Sequence, residues 1–232
     1  MTTKRLTGSY YTPKVISDFI VKRLLSKHKN KRLTILEPSA GDGVFINSLF
    51  QSNQNLDRIS KVLAIELNQN EADKIKAHST SKRLHVECAD FLCFQEKMGN
   101  EKFDLVIGNP PYIKKNLLTT DQIKQCQKIH SSFQMLSNST IKNVWSAFLI
   151  RSISLVKNDG IISLVLPAEL LQVNFTAELR TLLIDTFERI EIFTFNELLF
   201  KECKGQDTLI LIAEKNQKRL VYFFIMLQTL KN

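Results

Sequence analysis

Residues 103–115 read FDLVIGNPPYIKK. An apolar run from Phe103 to Ile107 stops at Gly108, and Asn109, Pro110, Pro111 and Tyr112 follow. The run has the length and composition of a buried strand. Two consecutive prolines end any regular element, because neither donates a backbone hydrogen bond and each fixes its own φ. An amide, two prolines and an aromatic ring therefore sit rigidly at a strand tip. That tip reads either as a stiff strand-to-loop turn around a buried tyrosine or as a preorganised set of acceptors beside a flat ring.

Working outward, RLTILEP, KVLAIELN and RLHVECADF read as strands before it, and GIISLVLP, RIEIFTF and DTLILIAEK as strands after it. Val15, Ile16, Phe19, Ile20, Leu24 and Leu25 recur at helical spacing behind Pro13. Further helices are expected in GDGVFINSLFQS, QNEADKIKAHS, TAELRTLLIDTF and NVWSAFLIRSISLVKNDG, the last closed by its glycine. Strands alternating with helices predict an α/β fold, a mainly parallel seven-stranded sheet with helices on both faces. Residues 113–140 show no clear element, and so long a loop in a compact domain is usually functional or mobile.

A chain of 232 residues, 44% hydrophobic and 24% charged, suits one large domain with a sizeable core. The formal charge of +9 fits either a polyanionic partner or a merely basic surface. Cys88, Cys93, Cys126 and Cys203 are scattered without a CxxC pair, so no metal site is expected and free thiols in a reducing compartment fit best. The polar N-terminus lacks a signal-peptide core. The apolar run LVYFFIML at 220–227 is too short to span a bilayer. A soluble, cytoplasmic protein without a membrane partner is expected.

In ILEPSAGDGVF, Gly41 and Gly43 lie between a strand and a helix, where glycine permits a tight turn and close approach of a ligand. Without a third glycine the pattern also fits an ordinary strand-to-helix turn. Glu66 ends the second strand, as a hydroxyl-binding acid or a solvated carboxylate. Asp90 and Phe91 end the third, as a base-binding pair or as an acid beside a core ring. All three features fall at the C-terminal ends of adjacent strands, where open α/β sheets bind ligands.

The ordered set TGSYYTP, EPSAGDGVF, AIEL, ADF and GNPPY resembles the gamma-class adenine-specific (N6) DNA methyltransferases of restriction–modification systems, over about residues 7–214. The resemblance implies a Rossmann-like S-adenosylmethionine-dependent methyltransferase fold. It implies cofactor contacts from Tyr11, Thr12, Pro13, Glu37, Pro38, Ser39, Ala40, Gly41, Gly43, Glu66, Leu67, Asp90, Phe91 and Asn109. Thr12 and Pro13 also have a second reading, as a helix-capping pair. Asn109, Pro110, Pro111 and Tyr112 are the implied catalytic residues. The Asn109 side-chain oxygen and the Pro110 carbonyl would hold the two amino hydrogens of an adenine turned out of the duplex, on which Tyr112 stacks. Phe200 is the implied second stacking wall, with Phe195 as rival and a plain core role as alternative.

The resemblance also implies double-stranded DNA as partner. Lys114, Lys115, Lys124 and Lys128, with Lys142, follow the tip as candidate phosphate contacts or as a solvated basic loop. Residues 1–214 are expected to form the catalytic domain. Residues 215–232 are then a tail too short for a target-recognition domain, so a separate specificity chain is a candidate partner. The apolar tail is expected to pack on a partner or to complete a sheet edge. Two other readings stay open: a cofactor-binding remnant that depends on a partner, and a methyltransferase for protein glutamine or RNA guanine.

Overall fold

A computed structural model describes residues 11–27, 31–51, 53–79, 81–94, 99–133, 142–195, 207–215 and 222–223. All seven expected strands form: β1 (Leu33–Glu37), β2 (Ile59–Glu66), β3 (Leu84–Cys88), β4 (Phe103–Gly108), β5 (Val156–Pro167), β6 (Arg189–Thr194) and β7 (Thr208–Glu214). An eighth, β8 (Tyr222–Phe223), pairs in parallel with Arg189 and Ile190 of β6, so the sheet has eight strands rather than seven. Part of the tail thus completes an edge.

The strand order is β3-β2-β1-β4-β5-β7-β6-β8. β7 runs antiparallel between β5 and β6, and the other pairings are parallel. The chain starts in the middle, steps outward to β3, and returns to lay β4 beside β1. That reversal opens a crevice at the C-terminal ends of β1 and β4.

Residue alternation decides what each face buries. On one face Ile35, Val62, Ala64, Leu105, Ile107 and Ile210 pack against α1 (Lys14–Lys27), α2 (Val44–Phe50) and Ile75 of α3 (Gln69–His78). On the other, Leu36, Leu63, Ile65, Val106, Leu164 and Leu211 meet α4 (Thr120–Ser131), α5 (Trp145–Leu155) and α6 (Ala177–Thr186). Helices on both faces explain why β4 is buried along its whole length and reads as one apolar run.

Two expectations change. Residues 113–140 are not without structure, because α4 occupies 120–131. The Thr119 side chain accepts from the Gln122 amide, the Gln122 side chain accepts from the Thr119 amide, and Cys126 and Ile129 face the core. Gly160 does not close the preceding helix, which ends at Leu155; it lies inside β5. A Cβ there would sit 2.8 Å from the Asp104 carbonyl oxygen, so the glycine serves close strand packing.

Near the N-terminal ends of β1 and β4 the strands are fastened through Asp104, which is 1% exposed. It accepts from the Thr34 amide at 2.8 Å and hydroxyl at 2.7 Å, and pairs with Lys31 at 2.7 Å and Lys157 at 2.9 Å. Burial pushes this carboxyl up, but the hydrogen bonds from Lys31, Thr34 and Lys157 outweigh it and hold the group well below the usual range. A depressed folded value gives stability that is present above the unfolded carboxylate pKa of about 4 and is lost as pH falls through the folded value. Asp104→Asn should cost about 3 kcal/mol in urea unfolding at neutral pH. The gap to the parent should narrow as the pH is lowered below about 4.

Candidate active site

Loops at the C-terminal ends of β1 to β4 enclose a cavity of about 610 Å³. Its lining brings together Tyr11, Thr12, Glu37, Pro38, Ser39, Ala40, Gly41, Glu66, Leu67, Asp90, Phe91, Asn109 and Pro111. Five strand-end and N-terminal segments, far apart in sequence, thus meet in one space.

The turn after β1 requires its glycines. Gly41 has φ +56° and Gly43 φ +78°, both left-handed. Gly43 precedes α2, and a Cβ there would lie 3.0 Å from Ile75. It shapes the turn from outside the lining. Glu66 holds the same turn from β2. Its carboxylate accepts from the Gly41 amide at 2.7 Å and the Asn68 amide at 2.8 Å. Glu66 is therefore neither a loose surface acid nor a free acceptor for ligand alone; it also braces the glycine loop.

After β3, Asp90 closes a short turn by accepting from the Leu92 amide at 2.9 Å. Phe91 is 2% exposed and lies 5.0 Å from Phe148, centroid to centroid, so it is both core ring and cavity wall. After β4, Ser39 Oγ donates to the Asn109 carbonyl at 3.0 Å and ties the tip to the glycine turn.

Pro110 and Tyr112 stand outside the lining. Tyr112 is 8% exposed and its hydroxyl donates to the Val165 carbonyl at 3.0 Å, so the ring edge is anchored on β5. Pro13 is likewise outside it; its carbonyl accepts from the amides of Ile16 and Ser17 and starts α1, the capping role. The Tyr11 ring, 42% exposed, lies over Gly41 at the cavity mouth. Phe200 falls outside the described residues. Phe195 is half-buried against the core face that α1 covers.

The electrostatics divide sharply. Glu37, Asp42, Glu66, Glu71 and Asp90 line the cavity, and no lysine or arginine is among the described lining residues. Glu37 is 1% exposed, and its Oε2 has no hydrogen-bond partner among the described residues. Burial, reinforced by the charges of Asp42 and Glu66, pushes its carboxyl well above the usual range. Burial also raises Glu66. Such a space suits a ligand carrying positive charge on a partly apolar body.

The lysines lie outside. Lys114, Lys115, Lys124, Lys128 and Lys142 are all exposed. Lys114 bridges to Asn143, and the Lys115 amide donates to the Lys142 carbonyl at 2.9 Å, so three of them form a knuckle just after the tip. Lys124 is 3.8 Å from Asp121, a loose surface pair on α4.

The Eco57I restriction-modification methylase family matches residues 16–200. The chain belongs to that family. The type II methyltransferase M.BanIII of Aneurinibacillus aneurinilyticus is 26% identical over 216 residues, covering 82% of this chain and 36% of that protein. M.HincII of Haemophilus influenzae is 29% identical over 211 residues, covering 86% and 38%. The chain thus spans less than two-fifths of the length of either relative. A crystal structure described as a class I S-adenosylmethionine-dependent methyltransferase from Listeria monocytogenes shares the fold. Its TM-score is 0.77 at 13% identity, with 99% of this chain and 67% of that one covered.

The cavity also has an apolar side that no sequence motif marks. Ile113, Leu117, Leu118, Val144 and Phe148 line it, supplied by the loop before α4 and by α5. The T-x-x-Q pattern at 119–122 was the available signal that a helix follows there. Gly43→Ala should lower stability by about 1–2 kcal/mol through its left-handed φ. Urea titration should show a larger loss than for Gly41→Ala, whose added Cβ would meet only Tyr11 at 3.5 Å.

Proposed function

We propose that this chain carries the catalytic centre of an adenine-specific DNA methyltransferase in a restriction–modification system. It moves a methyl group from S-adenosylmethionine to the exocyclic amine of an adenine turned out of duplex DNA. One observation supports the reading above all: Asn109 and Pro111 of the tip line the same cavity as Glu37, Glu66 and Asp90.

The residues fit the cofactor. Its ammonium and sulfonium are cationic, and the cavity is lined by carboxylates, one of them the buried Glu37, whose Oε2 has no partner among the described residues. Glu37 and Thr12 would hold the amino-acid end, Glu66 the ribose hydroxyls, and Asp90 with Phe91 and Leu67 the adenine. When bound, the cofactor supplies an electrophilic methyl group.

The chain's own groups prepare the acceptor. An adenine amine is a poor nucleophile because its lone pair is delocalised into the ring. The Asn109 side-chain oxygen and the Pro110 carbonyl accept its two hydrogens and favour the form with a localised lone pair. The prolines and the Ser39 contact leave those acceptors little to reorganise. The proton leaves after transfer, so no strong base is required. Stacking on Tyr112 requires its ring face to be uncovered, with the edge already set by Val165. The Lys114–Lys115–Lys142 knuckle neutralises phosphates beside the displaced base.

Incubation with labelled cofactor and unmethylated DNA, followed by nucleoside analysis, should place label in N6-methyladenine. Asn109→Ala should lower the rate by about 10²–10³ with far less change in cofactor affinity. Label in cytosine, or transfer indifferent to Asn109, would remove this reading. Lys114→Gln with Lys115→Gln should weaken DNA binding equally across sequences, and the slope of log affinity against log salt should drop by about 2.

A further inference from the structure

Arg151 lies on α5 one turn beyond Phe148, and it is 3% exposed. Its guanidinium carbon sits 4.8 Å from the centroid of the Phe91 ring. Its Nη1 donates to the Leu92 carbonyl. The Leu92 amide, on the other side of the same residue, donates to Asp90 Oδ1 at 2.9 Å. Leu92 is therefore gripped at both ends, by Asp90 from within the turn and by Arg151 from α5. Asp90, Phe91, Leu92 and Phe148 line the cavity; Arg151 stands behind them and does not.

The burial is costly. No ion pair engages Arg151 among the described residues, and burial lowers its pKa only to about 10, so the group stays charged at neutral pH. An apolar side chain of similar length would fill the same space at less cost, because a buried charge is stabilised mainly by close pairing. Packing alone does not account for a guanidinium here. Its directional bond to Leu92 and its stacking on Phe91 do.

We infer that Arg151 is a positioning residue for recognition of the cofactor's aminopurine: it clamps the Asp90–Leu92 turn so that the Asp90 carboxylate meets the amino edge of the base. The inference rests on the assignment of Asp90 to the adenine. A clamp of this kind affects which base is accepted more than how fast a bound cofactor reacts.

The test compares binding of S-adenosylhomocysteine with that of its inosine counterpart, which replaces the amino group by a carbonyl. The parent chain should prefer the adenine form by about tenfold, the size of one well-placed hydrogen bond. Arg151→Met should reduce that preference below about threefold, with kcat at saturating cofactor nearly unchanged. Arg151→Lys should recover part of the preference through a single donor to Leu92. A loosened core would weaken both ligands alike, so a variant that keeps the tenfold ratio overturns the proposal whatever its absolute affinity. If Arg151→Met does not fold, the ratio for Arg151→Lys decides: a preference equal to the parent's overturns the clamp. A parent chain with no preference removes Asp90 from base recognition, and the clamp falls with it. That result is distinct from an unaltered ratio in the variants.

Discussion

The parallel pairing of β1 with β4 brings Pro38–Gly43 and Asn109–Tyr112 together, although about seventy residues separate them. The register Ile35 to Leu105 and Leu36 to Val106 sets where both strands end. Asp104 fastens their N-terminal ends, and Ser39 links the loops at the other. Gly108 lies against Pro38, where even an added Cβ would make ordinary contact at 3.4 Å. Displacing one strand by a residue would invert its faces and move the cavity wall with it.

On that frame the charges separate by depth. Carboxylates gather inside the cavity and lysines stand on the surface just beyond it. Burial raises the Glu37 pKa, and the nearby charges of Asp42 and Glu66 raise it further. The same arrangement repels phosphates from the interior while the exposed lysines attract them.

Much of this was legible in the residues. Strands buried on both faces, such as Phe103–Gly108, announce themselves as unbroken apolar runs. The glycine turn, Glu66, Asp90 and the proline pair were each ambiguous singly, and their common position at strand ends joined them. What stayed hidden depended on contacts distant in sequence. Gly160 resembles a helix stop until the Asp104 carbonyl is seen against it. The α4 segment, rich in lysine and glutamine, reads as loop because only a narrow stripe including Cys126 and Ile129 is buried. Tyr112 gives no hint in sequence that its hydroxyl is anchored on β5. Arg151 carries no signal in the sequence, and only its position over the Phe91 ring reveals its burial.

The antiparallel β7 has a consequence for synthesis. It lies between β5 and β6, both of which precede it in the chain. A nascent chain that has produced β6 holds two strands with facing unpaired edges and no strand to fill the slot. Residues 208–214 must then enter between them, forming ladders on both sides in one late, non-local step. Until they emerge from the ribosome, those apolar edges are open to pairing with other chains. The window for misassembly therefore closes only with the last central strand, although the cavity's own walls are complete about sixty residues earlier, after Phe148.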